Sequence, residues 1–385
     1  MQKSKAPICI FLCIVFIIMA VCGSVLSASR IGGRTASADT AYSSAKAMCT
    51  MEASSGRVLY SKNMDAELPM ASTTKIMTAI TAIENCNDLD EKFVISPKAV
   101  GVSGTSLYLR KDEAFSVREL LYGLMLISGN DASVAIGERV GGNVKNFVEL
   151  MNKTAEKIGA KNSHFANTHG LDGKGHYTSA HDLALITSYA LQNETFREIV
   201  STKTTKIINT DGKSRYLKNK NKLLATLEGC NGVKTGFTDD AGRCLVASAE
   251  RDGMQLVCVV LNCGPMFEEC ATLLEKGFEE YKMVDLTKDY DFTKFIKLKD
   301  GRKEFARVGT TGSFSYPFKV GEQNKVKYLY TLPSQLTAPI AKGAEIGKVE
   351  VYFGNDLLFS EKIYTMEEVR GNTVWEKLKE LFKAW

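Results

Sequence analysis

Apolar residues alternate along this chain near its start and again from Gly232 to Leu261, and between those stretches their spacing turns helical. Strands, then helices, then strands predict a sheet whose faces are covered by the intervening helices. Ala47 to Met51, a Ser54-Ser55-Gly56 turn and Arg57 to Tyr60 form the first expected hairpin. Ile76, Ala79, Ile80 and Ile83 recur over 72–84, and Met77 and Ala82 widen the apolar face, so that helix is expected to be buried on most sides. Residues 117–127 and 131–140 predict two further helices that meet at Ser128-Gly129-Asn130. An amphipathic helix over 143–158, a polar loop and a helix over 182–191 follow. Residues 244–250 and 254–261 alternate across Arg251-Asp252-Gly253, a strong hairpin signal, and 267–281 reads as a helix packing back on that sheet. The expected fold class is α/β, a sheet flanked by helices on both faces.

Beyond Val284 short alternating runs, such as Phe305 to Val308, Lys325 to Tyr330 and Gly347 to Tyr352, are separated by Gly, Asn and Pro, which predicts a small all-β domain. The last segment carries Val374, Leu378, Leu381, Phe382 and Trp385 on one helical face, with Lys377, Lys379 and Lys383 among the polar positions. That pattern suits a helix lying in a membrane interface. At the other end, Lys3 and Lys5 precede an apolar run from Ala6 to Cys22 followed by small residues, the layout of a secretory signal. The expected organisation is therefore 1–38 signal and leader, 39–283 main domain, 284–366 β-rich domain and 367–385 membrane-associating helix, on a protein exported to the outer face of the cytoplasmic membrane. The 44% hydrophobic and 24% charged fractions exclude a disordered chain. A net charge of +5, with scattered basic residues and no aromatic-interleaved stripe, excludes a nucleic-acid partner. Ten cysteines occur. Cys9, Cys13 and Cys22 fall in the signal, and the other seven, with no C-x-x-C among them, are expected as core thiols rather than disulfides.

Three short motifs carry the chemistry. Ser72-Thr73-Thr74-Lys75 spaces a hydroxyl and an amine three apart, which on a helix turns both to one side. A serine needs a base to become a nucleophile, and lysine serves only when burial or a neighbouring cation depresses its pKa. The apolar helix supplies burial for Lys75, and Lys234 supplies a second charge. Ser72 at a helix N-terminus also offers its own N–H to a developing oxyanion. Ser128-Gly129-Asn130 brings a hydroxyl suited to proton relay towards a leaving amine, and an amide suited to holding a substrate's backbone. In Lys234-Thr235-Gly236 the glycine lets a ligand approach a strand closely. The lysine and threonine suit a terminal carboxylate, and the N–H of Phe237 completes the oxyanion hole.

Together and in this order the motifs resemble the active-site set of penicillin-recognising serine enzymes. Pro69 to Thr78, Gly232 to Thr238, and Asn167-Thr168-His169-Gly170-Leu171 ahead of Thr178 and Asp182 look like the D-alanyl-D-alanine carboxypeptidases, the low-molecular-mass penicillin-binding proteins. The resemblance implies removal of the terminal D-alanine from peptidoglycan stem peptides through an acyl-Ser72 intermediate. It also implies inhibition by β-lactams and no cofactor or metal. Phe237 stands where some relatives carry histidine after the third motif. Because the donor there is a backbone N–H, the hole is expected to survive with altered substrate preference.

Four other readings compete. A zinc peptidase would draw on His164, His169, His176 and His181, but their spacing matches no zinc motif, and His181, just ahead of a helix, reads as a surface residue. A class A β-lactamase would need a deacylating carboxylate, and no Glu-x-x-Leu-Asn segment lies between the second and third motifs. A β-lactam receptor would need a transmembrane route inward, and no long apolar run follows the signal. An endopeptidase acting on cross-links is separated poorly from a carboxypeptidase at this level.

Overall fold

The computed structural model describes residues 43–289 and 292–373, together with Trp375 and Phe382. The expected signal and nearly all of the expected terminal helix lie outside the described residues. The rest divides into two compact units, 43–289 with 313–326, and 292–312 with 327–373.

The larger unit opens with strands β1 (Ala47–Glu52) and β2 (Val58–Lys62), helix α1 (Lys75–Asn85) and a short hairpin of β3 (Lys92–Val94) and β4 (Ala114–Ser116). Helices α2 (Val117–Tyr122), α3 (Asn130–Gly141), α4 (Val144–Ile158), α5 (Ala180–Ala190) and α6 (Glu194–Ser201) follow. Next come a second hairpin, β5 (Thr204–Ile208) and β6 (Ser214–Lys218), and one turn of helix, α7 (Leu223–Thr226). Strands β7 (Cys230–Thr238), β8 (Gly242–Arg251) and β9 (Met254–Leu261), helix α8 (Met266–Glu280), strand β10 (Tyr281–Asp285) and a final turn of helix, α9 (Leu286–Asp289), complete this stretch.

Strands β1, β2, β7, β8 and β9 form one antiparallel sheet in the order β2-β1-β9-β8-β7. The first strands therefore join a sheet whose other members arrive much later in the chain. Alternate residues supply two cores. Cys49, Cys244, Val246, Val257 and Val259 pack against α1 and the helical block. Met48, Leu245, Ala247, Cys258 and Val260 pack against α8. Helices thus cover both faces, as expected, so both alternating sets of side chains along these antiparallel strands are buried. The β8–β9 hairpin turns through Asp252 (φ 49°) and Gly253 (φ 74°), both left-handed, with Arg251 opposite Met254. All seven described cysteines are free thiols, and five of them are buried. The α6 helix and the β5–β6 hairpin add to the expected elements.

Strand β10 pairs antiparallel with β13 (Ser315–Lys319), a segment that returns to the larger unit from further along the chain. Arg57, 2% exposed, anchors that segment. Its Nη1 donates to the Pro317 carbonyl at 2.5 Å and its Nη2 lies 2.9 Å from a Glu322 carboxylate oxygen. The guanidinium also sits over the rings of Tyr281 (4.9 Å) and Tyr316 (5.3 Å). Removing one partner of a buried pair strands the other. Arg57→Ala is therefore expected to cost about 3 kcal/mol of unfolding free energy in urea titration; a loss below about 1 kcal/mol would show that neither the ion pair nor the ring contacts of this guanidinium fix the segment.

The smaller unit is built on β11 (Lys294–Lys299), β12 (Phe305–Gly309), β14 (Val326–Thr331), β15 (Gln335–Thr337), β16 (Glu345–Phe353) and β17 (Asp356–Thr365), in the order β14-β16-β17-β12-β11-β15. It is all β, with Ile296, Leu298, Ala306, Val308, Val349 and Val351 buried.

Candidate active site

Lys75 opens α1 directly after a 3-10 turn, Ala71–Thr74, so Ser72 sits one tight turn ahead of it. The lysine is fully buried. Its Nζ lies 2.9 Å from Ser72 Oγ, 2.8 Å from Asn130 Oδ1 and 2.5 Å from the His169 carbonyl oxygen. Burial first, then the charges of Lys234 and Lys220, hold its pKa well below the ordinary lysine value, against a smaller opposing effect of Asp131. A neutral amine there has two N–H donors for Asn130 and His169, and its lone pair is left facing the serine hydroxyl. That is the protonation state a general base requires.

The second motif is shaped by its backbone. A π-helical turn, Gly123–Ile127, delivers Ser128 in the left-handed region (φ 72°, ψ 36°), a local irregularity of the kind that recurs at functional sites. Ser128 is 4% exposed and its Oγ has no hydrogen-bond partner among the described residues. A Cβ on Gly129 would come within 2.9 Å of Asp131 Oδ1 and 3.2 Å of Leu107 Cβ, so a larger residue between Ser128 and Asn130 would force one of these neighbours to shift. Asn130, expected to hold substrate, has both ends engaged: Oδ1 accepts from Lys75 and Nδ2 donates to the Ser103 carbonyl at 2.6 Å. Its position makes it a brace for the lysine.

The third motif lies on β7, one of the two edge strands of the sheet. Lys234 is 1% exposed and donates to the Thr235 carbonyl at 2.9 Å. Burial and the Lys220 charge lower its pKa to about 7. A Cβ on Gly236 would lie 3.0 Å from the Ser72 nitrogen and 3.1 Å from the Met70 carbonyl oxygen, so the glycine lets β7 run against the turn that carries Ser72. Phe237, the next residue, is exposed.

Several contributors carry no motif signal. The Asp131 carboxylate accepts from Ser106 Oγ (2.7 Å), Leu107 N (2.8 Å) and Leu109 N (2.9 Å), fixing the loop whose Thr105 carbonyl accepts from Asn130 N at 2.7 Å. Lys220 adds the third lysine whose charge bears on Lys75 and Lys234.

The histidine-rich loop braces Lys75 and its turn. Asn167 Oδ1 accepts from His169 N (3.2 Å) and Gly170 N (2.7 Å), which turns the His169 carbonyl towards Lys75. His176 Nδ1 accepts from Ala166 N at 3.0 Å, leaving Nε2 to donate to Thr74 Oγ1 at 2.9 Å. Burial lowers the pKa of both His169 and His176 to about 4, with Lys75 adding to it for His169. His164 Nδ1 contacts the Gly175 carbonyl. His181 corrects an expectation: it lies inside α5, 8% exposed, with its ring 3.8 Å from carboxylate oxygens of Asp65 and Asp182. Its backbone N–H bonds the Met64 carbonyl, so the start of α5 is held inward rather than to solvent.

Residues 34–264 match the family model described as D-alanyl-D-alanine carboxypeptidase, and 278–370 match that of the penicillin-binding protein 5 C-terminal domain. The chain is 32% identical over 349 residues to D-alanyl-D-alanine carboxypeptidase DacF of Bacillus subtilis, covering 89% of this chain and 90% of the relative. It is 36% identical over 256 residues to a D-alanyl-D-alanine carboxypeptidase of a Streptomyces strain, covering 62% of this chain and 88% of that one. Among solved structures, penicillin binding protein 5 from Haemophilus influenzae superposes with a TM-score of 0.70 at 30% identity, covering 85% of this chain and 98% of that chain.

Proposed function

From the premise that the chain belongs to the D-alanyl-D-alanine carboxypeptidase family, we propose that Ser72 is its nucleophile and Lys75 the base that activates it. The protein is a serine-type D-Ala-D-Ala carboxypeptidase, a hydrolase of peptidoglycan stem peptides that binds β-lactams. The observation that carries the residue roles is the buried Lys75 amine 2.9 Å from Ser72 Oγ.

In this reading Ser72 Oγ bonds to the carbonyl carbon of the penultimate D-alanine while its proton passes to Lys75 Nζ. The backbone N–H groups of Ser72 and Phe237 hold the oxyanion. Ser128 Oγ, which has no partner within the described residues, hands a proton to the departing D-alanine nitrogen as the peptide bond breaks, and takes its replacement from Lys75. Water then adds to the acyl-Ser72 carbon, and its proton travels back through Lys75 as Ser72 is released. Lys234 and Thr235 bind the terminal carboxylate of the substrate, and Gly236 keeps that strand open to it. Asn130 holds Lys75 in place, so its contribution to substrate binding is secondary. A carboxypeptidase is favoured over a zinc peptidase because His169 and His176 are spent on the loop and the Ser72 turn.

The same reading takes residues 39–283 as the catalytic domain and 284–366 as its β-rich companion. An exported protein, working at the outer face of the membrane and held there by 367–385, fits the signal-like N-terminus and the amphipathic pattern at the other end.

Treating the mature protein with benzylpenicillin and weighing it intact tests the assignment. One adduct per chain, mapped to Ser72 and indifferent to a chelator, is the expected result. Its decay separates a carboxypeptidase, which deacylates slowly, from a β-lactamase. No adduct, with chelator-sensitive D-alanine release, would move the chemistry to the histidine loop.

The lysines also predict a bell-shaped pH profile. Lys75 acts deprotonated, so kcat/KM rises with pH through its depressed pKa. Lys234 binds carboxylate while protonated, so kcat/KM falls as pH passes about 7. Lys234→Arg, whose guanidinium stays charged, should move the alkaline limb upwards. An unmoved limb would remove Lys234 from carboxylate binding.

A further inference from the structure

The smaller unit presents one sheet face that its own fold does not use. Along β11 and β12 alternate residues point inward: Ile296, Leu298, Ala306 and Val308 are buried. The opposite face carries Phe295, 68% exposed, and Phe305, 45% exposed, with Lys297, Lys299 and Arg307 also exposed. The register sets each ring across from a cation, Phe295 opposite Arg307 and Phe305 opposite Lys297. Beside them β15 adds the uncharged Gln335 and Thr337, across from Lys297 and Lys299. Among the described residues neither Lys297 nor Lys299 makes an ion pair. Glu367, whose carboxylate also senses Arg307, is paired with Lys303 at 2.5 Å.

This face lies at the root of the terminal segment. Gly301, in the β11–β12 turn, bridges Gly371, and Asn372 N donates to the Asp300 carbonyl at 2.7 Å. Only Asn372 and Thr373 then separate the bridge from the amphipathic pattern that begins at Val374, a reach of at most about 10 Å. If 374–385 lies in a membrane interface, the hairpin end must come close to the same lipid.

We propose that the Phe295–Phe305 face of β11 and β12 docks on an anionic lipid surface, a second membrane contact beside the terminal helix. It rests in part on the membrane reading of that helix. Apolar rings among lysines suit this occupant: the rings enter the headgroup boundary while the cations meet lipid phosphates. A neutral protein surface would need the rings but not unpaired cations on both sides of them, and an acidic one would not account for the face standing at the root of the terminal segment.

The test uses the full mature chain with vesicles of phosphatidylcholine containing phosphatidylglycerol, read by co-sedimentation. K297Q/K299Q should weaken partitioning roughly 30-fold, about fivefold per lost charge, and less on pure phosphatidylcholine. F295W, in a chain carrying W375F and W385F, should shift its fluorescence to the blue on vesicle addition and be quenched by brominated lipid. D-alanine release from a soluble peptide serves as the folding control and should not change. A chain ending at residue 373 separates the two readings. If it still binds anionic vesicles weakly and loses that binding with K297Q/K299Q, the face acts without the helix. If ending the chain there changes nothing while K297Q/K299Q does, the helix reading fails and the face stands. Unchanged partitioning of K297Q/K299Q in the full chain overturns the proposal. So would F295W that responds to a second copy in sedimentation equilibrium but not to lipid.

Discussion

Lys75→Met is expected to lower the rate of Ser72 acylation by benzylpenicillin about 10²- to 10⁴-fold, the range a lost general base commands. The substitution keeps the length and much of the volume of the side chain, and the site is fully buried, so packing is nearly conserved. What disappears is the lone pair beside Ser72 Oγ, together with the donors for Asn130 Oδ1 and the His169 carbonyl. Those two acceptors are left unsatisfied, which costs about 1–3 kcal/mol each. Against that, the folded chain no longer has to bury a lysine whose charged form it disfavours. Stability should therefore change far less than activity. Stopped-flow acylation alongside urea unfolding would show the split. A loss of acylation below tenfold would mean that another group takes the serine proton.

Gly170→Ala is expected to have the second largest effect, this time through the backbone. Gly170 has φ +91°, and a Cβ there would lie 1.9 Å from the Ala71 carbonyl oxygen and 2.4 Å from its carbon. No side-chain rotation relieves a clash with main chain, so either the histidine loop or the turn bearing Ser72 must shift. Left-handed strain costs about 1–2 kcal/mol and overpacking a further 1–3, which predicts a loss of about 4 kcal/mol. A displacement near 1 Å at Ser72 would remove roughly 100-fold from kcat/KM. Gly142→Ala supplies the comparison, since Gly142 has φ +73° with nothing within 4 Å of a Cβ. It shares the strain without the clash, and should cost about 1 kcal/mol and no activity. Equal behaviour of the two variants would show that the Gly170 contact does not hold the turn.

What could be read beforehand, and what could not, divides along the range of the interactions. The Ser72–Lys75 pair was legible because both residues share one helical turn. The β8–β9 hairpin was legible because Asp252-Gly253 suits its two left-handed positions. Asp131 was not: nothing local distinguishes an aspartate in the first turn of α3 from a dipole-stabilising one, and its work is done on backbone groups of Leu107 and Leu109. Lys220 is one of several lysines in a polar stretch, and only the fold turns its charge towards Lys75 and Lys234. Asn130 was legible as a site residue expected to hold substrate, but its hydrogen bond to Lys75 was not, because that partner is set by tertiary placement. His181 was misjudged because a polar residue at the start of a helix is ordinarily solvated, whereas here the Met64 carbonyl draws that end inward. The pairing of 315–319 with Tyr281–Asp285 had no local signature at all.

That last pairing bears on how the protein is assembled in time. Residues 292–312 leave the larger unit, 313–326 come back to it, and 327 onwards leave again. A chain made from its N-terminus can lay down the whole catalytic sheet early, yet the Pro317 carbonyl and the Glu322 carboxylate that Arg57 engages arrive only after the smaller unit has begun. Neither unit is a contiguous stretch that matures and closes before the next starts. Both are completed only once residues past 312 have been made, and a shortened chain meant to keep every strand pairing of the larger unit, β10 with β13 included, would run through residue 326 rather than stop at the apparent domain edge near 283.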